Sequence, residues 1–124
     1  MGKFVVKKTS NDGFVFNLIA GNGQVIGTSQ TYSTKKTALA GIESVKKNAG
    51  SDIEDQTLAE PVAVKNPKWE IYNDKAGEFR FRLKASNGEI ILASQGYSSK
   101  ASCKNGIESV KTNAPEAEVE VLEE

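Results

Sequence analysis

The hexapeptide Gly41-Ile42-Glu43-Ser44-Val45-Lys46 recurs letter for letter as Gly106-Ile107-Glu108-Ser109-Val110-Lys111. Asn48-Ala49 and Asn113-Ala114 follow the two copies at the same distance. An unbroken repeat of this kind marks a tandem duplication, so the fold must accommodate one unit twice. A shift of about 65 positions lays residues 2–50 on 67–115 without a gap, with roughly 20 of about 50 positions identical. Phe14, Phe16, Leu18 and Ala20 recur as Phe79, Phe81, Leu83 and Ala85. A solenoid needs at least about three copies. The two units are therefore expected to close one domain, residues 2–124, with a first unit at 2–57, a linker at 58–66 and a second unit at 67–122.

Within each unit the apolar spacing changes from two to about 3.6, the step from strand to helix. Lys68-Trp69-Glu70-Ile71-Tyr72 alternates, which predicts a first strand with Phe4/Trp69 and Val6/Ile71 inward. Phe79-Arg80-Phe81-Arg82-Leu83-Lys84 alternates strictly, with one apolar and one basic face. Asn22-Gly23 and Asn87-Gly88 mark the next turn. A three-residue loop with glycine in the left-handed position would pair Leu18 with Ile26 and Phe16 with Thr28. That register sends Ile26 and Ile91 to the core, and Ile90 and Leu92 to the outer face.

Ser33 or Thr34 is a suitable N-cap for a helix that follows. Ala38, Ile42, Val45 and Ala49 then share one stripe, as do Cys103, Ile107, Val110 and Ala114. Glycine in a helix interior costs up to about 1 kcal/mol against alanine. The repetition of Gly41 as Gly106 predicts an approach to the sheet too close for a Cβ. Strand character returns at Ile53–Thr57 and Glu118–Leu122. The expected fold class is α+β, a tandem β3-α-β repeat forming one mainly antiparallel sheet with two helices on one face.

Several of these pieces resemble the YegP-like family of small uncharacterised bacterial proteins. They are the Asn-Gly turn, Ser-Gln-x-Tyr-Ser before the helix and Gly-Ile-Glu-Ser-Val-Lys-x-Asn-Ala within it, present in both halves. The resemblance covers nearly the whole chain. It implies C-terminal strands exchanged between the units, and it implies no activity, since the family has no known function. Gly77-Glu78, where the first unit has Asp12-Gly13, and the long linker depart from the pattern.

The residue inventory narrows the chemistry. Histidine is absent, which removes the commonest general base and metal ligand. Cys103 is the single cysteine, so there is no internal disulfide and no zinc site, and a cytoplasmic setting is expected. Its place on the apolar stripe reads as a small buried hydrophobe. No apolar run approaches the roughly 18 residues of a membrane span, and Met1-Gly2-Lys3-Phe4 lacks a signal peptide's apolar core. Glu43 and Glu108 fall on the solvent side of their helices. The expectation is a non-catalytic binding or interaction module, a monomer without cofactor or metal. An enzyme with an unrecognised site is the alternative.

Two candidate sites remain. Ser29, Gln30, Tyr32, Ser33 and Lys35, with Ser94, Gln95, Tyr97, Ser98 and Lys100, bring polar groups to helix N-termini, where free N–H groups attract anions. Capping and ring packing are the structural reading of the same residues. Tyr72, Arg80, Arg82 and Lys84 form a basic sheet face that could hold single-stranded nucleic acid. Net charge is zero, but it is unevenly spread. Residues 2–50 carry seven lysines against two acids and 67–115 eight cations against five acids, while 116–124 carry five glutamates and no cation. A charge match between Arg80 and Arg82 and the carboxylates of Glu118 and Glu120 therefore ranks above nucleic-acid binding.

Overall fold

The computed structural model describes residues 2–122. Each unit runs strand–strand–strand–helix–strand. The first comprises β1 (Lys3–Lys8), β2 (Phe14–Ile19), β3 (Val25–Thr28), α1 (Lys35–Asn48) and β4 (Ile53–Asp55). The second comprises β5 (Lys68–Asn73), β6 (Phe79–Lys84), β7 (Ile90–Ala93), α2 (Lys100–Asn113) and β8 (Glu118–Val121), with a 3-10 turn at Ala114–Glu116. All eight strands form one sheet in the order β4-β5-β6-β7-β3-β2-β1-β8. The halves meet at an antiparallel seam, where Thr28 lies opposite Ala93. Each unit's last strand leaves its own unit. β4 lies parallel to β5, and β8 lies parallel to β1 at the far edge.

Both helices cover one face and share a single core. Phe4, Val6, Phe16 and Leu18 meet the α1 stripe, and Trp69, Ile71, Phe81 and Leu83 meet the α2 stripe. α1 also reaches β7, and α2 reaches β3, so each helix packs across the seam. Thr34 and Ser99 are the N-caps, accepting from Thr37 N–H and Ser102 N–H at 3.1 Å. Trp69 Nε1–H donates to the Ala49 carbonyl at the end of α1, 2.9 Å away, which fastens the second unit to the first. Cys103 is fully buried, and burial pushes its thiol up to about 11.

Gly41 and Gly106 meet the expectation of close approach. A Cβ on Gly106 would lie 2.6 Å from Tyr97 Oη and 2.8 Å from Phe81 Cε2, and one on Gly41 would strike Tyr32 Oη. The tyrosine of each Ser-Gln-x-Tyr-Ser segment fills the space that the glycine leaves.

The register of the third strands departs from expectation. The loop has the expected length, with Ala20 N–H donating to Gln24 O and Gly23 at φ +88°. A bulge follows, so Ile19 faces Val25 while Leu18 faces Gly27. Ile26 is the extra residue, and it still turns to the core. In the second unit Leu83 faces Leu92 across the same kind of bulge. Leu92 is therefore fully buried rather than on the outer face, while Ile90 is exposed as expected. A bulge keeps two adjacent side chains, Ile91 and Leu92, on the core side, which strict alternation forbids.

Candidate functional site

Backbone pairing explains most of the helix-entry segments. Tyr32 and Phe14 exchange two N–H···O bonds of 2.7 Å, and Tyr97 and Phe79 do the same at 2.7 and 2.8 Å. Ser29 Oγ accepts from Phe16 N–H at 2.9 Å and donates to the Gln30 carbonyl at 2.7 Å. Ser94 repeats both bonds with Phe81 and Gln95. The two serines are buried and fully used in stitching the end of the third strand to the second. Tyr32 stacks on Phe16, and Tyr97 on Phe81, with ring centroids 6.2 Å apart in both pairs. Burial raises the Tyr32 phenol above its ordinary value against a hydrogen bond with Gln30, and the Glu89 charge adds to the rise. Burial raises Tyr97 in the same direction.

The remaining residues of these segments lie apart from a common centre. Ser33 and Ser98 are exposed, and Thr34 and Ser99 do the capping. Gln30 reaches Glu89 across the seam at 3.4 Å. Lys100 pairs with Asp55 of β4 at 3.0 Å, tying α2 to the exchanged strand. Lys35 is exposed. Between the segments runs an open groove of about 390 Å³, lined by Val25, Gly27, Thr28, Ala93, Ser94 and Gln95.

The helix-free face of the second unit carries a denser arrangement. Alternation on β5 and β6 sends Lys68, Glu70, Tyr72, Arg80, Arg82 and Lys84 away from the helices, and the register sets Glu70 beside Arg82 and Tyr72 beside Arg80. Glu70 is 2% exposed, and one of its oxygens accepts from Arg82 Nε at 2.5 Å with Lys84 Nζ at 3.4 Å. Its other oxygen takes Lys68 Nζ at 3.1 Å and Gln56 Nε2 at 3.0 Å. Lys68 also pairs with Glu54 at 2.8 Å, and Glu54 accepts from the Val64 N–H of the linker at 2.8 Å.

Asp74 holds Arg80. One carboxylate oxygen accepts from Ala76 N–H and Glu78 N–H and shapes the turn. The other takes Arg80 Nε at 2.7 Å, while Arg80 Nη1 donates to the Ser94 carbonyl at 3.2 Å. The Arg82 guanidinium lies over the Tyr72 ring, 4.3 Å from its centroid. Hydrogen bonds from Gln56, Lys68 and Val64 bring the Glu54 carboxyl down to about 2. Burial works to raise Glu70, but the hydrogen bonds from Arg82 and Lys68 outweigh it and hold it low.

One expectation about this face is corrected. The carboxylates that match Arg80 and Arg82 are Asp74 and Glu70, not Glu118 and Glu120. β6 is flanked by β5 and β7 and offers no edge, so β8 lies beside β1, where Glu120 meets Lys3 at 3.3 Å. Val121 packs against the core, but Val119 on the free edge is 39% exposed. Tyr72, in turn, is half-buried and has one face of its ring occupied by the Arg82 guanidinium. Glu54, Gln56, Glu70 and Asp74 were not among the candidates. The signal for Glu70 was present, because the alternation of Lys68-Trp69-Glu70 puts it on the face that carries Arg82.

Among the described residues no helix is long and apolar enough to cross a membrane. The family model described as "Domain of unknown function (DUF1508)" matches the chain twice, at residues 10–55 and 74–120. A UPF0339 protein of Pseudomonas aeruginosa is 41% identical over 93% of this chain and 92% of its own length. A UPF0339 protein of Methanosarcina acetivorans is 57% identical over 45% of this chain and 97% of its own length, so it has the size of one unit. The solution NMR structure of yegP from E. coli, described as a protein of unknown function, matches with a TM-score of 0.80. It is 37% identical and covers 97% of this chain and 91% of that one.

Proposed function

The chain belongs to the DUF1508 family, which carries a fold and no assigned activity, and on that premise we propose that it is a non-catalytic binding module. The observation that carries this reading is the division of labour between the two sheet faces. The helices and the repeated glycine–tyrosine contacts consume one face. The other carries no helix, and in the second unit it holds a fixed array of charged side chains rather than a scatter of mobile ones. Catalysis by the usual routes needs a nucleophile, a base within reach and a group that orients the base. The one thiol is buried with a raised pKa, and the repeated hydroxyls of Ser29 and Ser94 are committed to backbone groups.

A monomer goes with this reading, since the duplication supplies within one chain the partner that a single unit would need. The test is incubation of the protein with a metabolite mixture, followed by NMR of both protein and ligands. An intact ligand that shifts sheet-face signals supports the reading, and a ligand that is turned over overturns it.

A further inference from the structure

We propose that the outer row Arg80, Arg82 and Lys84 of β6 binds a chain of phosphate groups. The inference rests on the open face being the binding surface and names its ligand. Each arginine is held at the same atom. Asp74 takes Arg80 Nε at 2.7 Å, and Glu70 takes Arg82 Nε at 2.5 Å. Arg82 is fixed further by the ring of Tyr72 beneath it. Among the described residues its hydrogen bonds end at Nε, so both Nη amines remain for a ligand. A guanidinium that is already oriented loses little freedom on binding, and its fork fits two oxygens of one phosphate.

The spacing fits the same ligand. Alternate residues of a strand recur about every 6–7 Å, so Arg80, Arg82 and Lys84 form a straight cationic row suited to an extended chain of anions. Lys68, Arg80, Arg82 and Lys84 face the carboxylates of Glu54, Glu70 and Asp74, and the Glu78 charge also acts on Arg80, so the row is oriented by its carboxylates without carrying excess positive charge. Lys84 and Arg82 keep about a quarter of their side-chain surface exposed and Arg80 more.

The first unit serves as an internal control. Val15, Asn17 and Ile19 stand at the equivalent positions of β2, and Val5 at that of Glu70. The same sheet therefore forms without the cations and without the buried carboxylate. Arg82 occupies one face of the Tyr72 ring, and the row itself presents cations, so the ligand is recognised by its phosphates. Two sources share that chemistry, a nucleic-acid backbone and a free oligophosphate.

The test is a titration of the 15N-labelled full chain at about 150 mM salt, with tripolyphosphate and separately with an oligo-dT strand. The expected result is saturable shifts at the amides of residues 80–84 and at the arginine Nε–H groups. Affinity should fall about tenfold or more in the R80K/R82K double variant, which keeps the charge and loses the forks. Saturation by tripolyphosphate alone, by oligo-dT alone or by both supports the site and identifies the source. No saturable shift with either ligand, shifts centred on the starts of α1 and α2, or equal affinity in R80K/R82K overturns it. If the double variant does not keep the parent spectrum, Lys84→Gln replaces it, with an expected loss of about threefold and an unchanged affinity as the contrary result. 31P signals separate the two readings. Hydrolysis of tripolyphosphate with shifts at 80–84 keeps the site and overturns the non-catalytic reading. Absence of binding overturns the site and leaves the non-catalytic reading standing.

Discussion

The two units agree where they face the helices and disagree where they face away. Phe4 meets Phe16 edge-on at 5.7 Å, and Trp69 meets Phe81 edge-on at 5.3 Å. On the outer side of the same strands, Val5, Val15 and Asn17 stand where the second unit has Glu70, Arg80 and Arg82. The core side is held to one solution because both helices press on it through the same glycine–tyrosine contact. The outer side has no such constraint, and one unit has used that freedom for charge. The exception lies at the seam. Gly27 and Leu92 occupy equivalent places, and a Cβ on Gly27 would lie 2.7 Å from the Leu92 side chain. Here the halves differ because they fill each other, so one large residue serves both.

The seam gives the largest expected effect. Leu92→Ala should cost about 2–5 kcal/mol, as for other buried leucines, and Gly27→Leu alone should destabilise by about 1–3 kcal/mol or more through overpacking. The exchange Gly27→Leu with Leu92→Gly should recover a good part of either loss in urea unfolding. If the two changes simply add, the seam is not the complementary pair described. Next in size is the buried carboxylate. Glu70→Val should destabilise by about 3 kcal/mol, the low end for a broken buried pair, because it leaves partly exposed cations without their shared partner. Glu70→Val with Arg82→Asn copies the first unit and should restore most of the loss.

Gly106→Ala should cost about 1–2 kcal/mol, overpacking outweighing the better helix propensity. Adding Tyr97→Phe removes the nearest atom and should lessen the cost, which thermal melts can read. The smallest effect is electrostatic. Glu54 sits at about 2 in the folded protein against an ordinary 4.5. Its stabilisation is complete above 4.5 and is lost as pH falls toward 2. Glu70 and Asp74 are lowered too and act in the same sense. Acid titration of stability should therefore be shallower in the Glu70→Val/Arg82→Asn variant.

Much of this was legible because two periods carry it. Phe79-Arg80-Phe81-Arg82-Leu83 states which side of β6 is which, and Ala38, Ile42, Val45 and Ala49 state the buried stripe of α1. What escaped depends on where a period is interrupted or on which strand comes alongside. The bulge at Ile26 and Ile91 adds a residue without any local signature beyond glycine-rich turns, so plain alternation puts Leu92 on the wrong face. Charge pattern alone pairs Arg80 and Arg82 with the distant acids of the tail, whereas their partners are Glu70, one strand away, and Asp74, one turn away. Neighbouring strands outcompete a remote segment, because β6 has no edge left for it. For the helix entries, the repeated Ser-Gln-x-Tyr-Ser letters could not separate a ligand site from a clasp. The bonds of Ser29 and Ser94 to Phe16 and Phe81 show what these two hydroxyls do in the clasp.

The exchange of terminal strands sets a timetable for synthesis. Lys3 pairs with Glu118, which is made more than 100 residues later. At about 5–20 residues per second, β1 waits on the order of ten seconds on the ribosome before β8 emerges to cover its edge. Until then the strand Phe4-Val5-Val6 has one open ladder of backbone groups, the kind of edge that recruits strands from other chains. A product truncated before Glu118 never closes it. Such truncation products should aggregate during expression although they retain nearly all of the core.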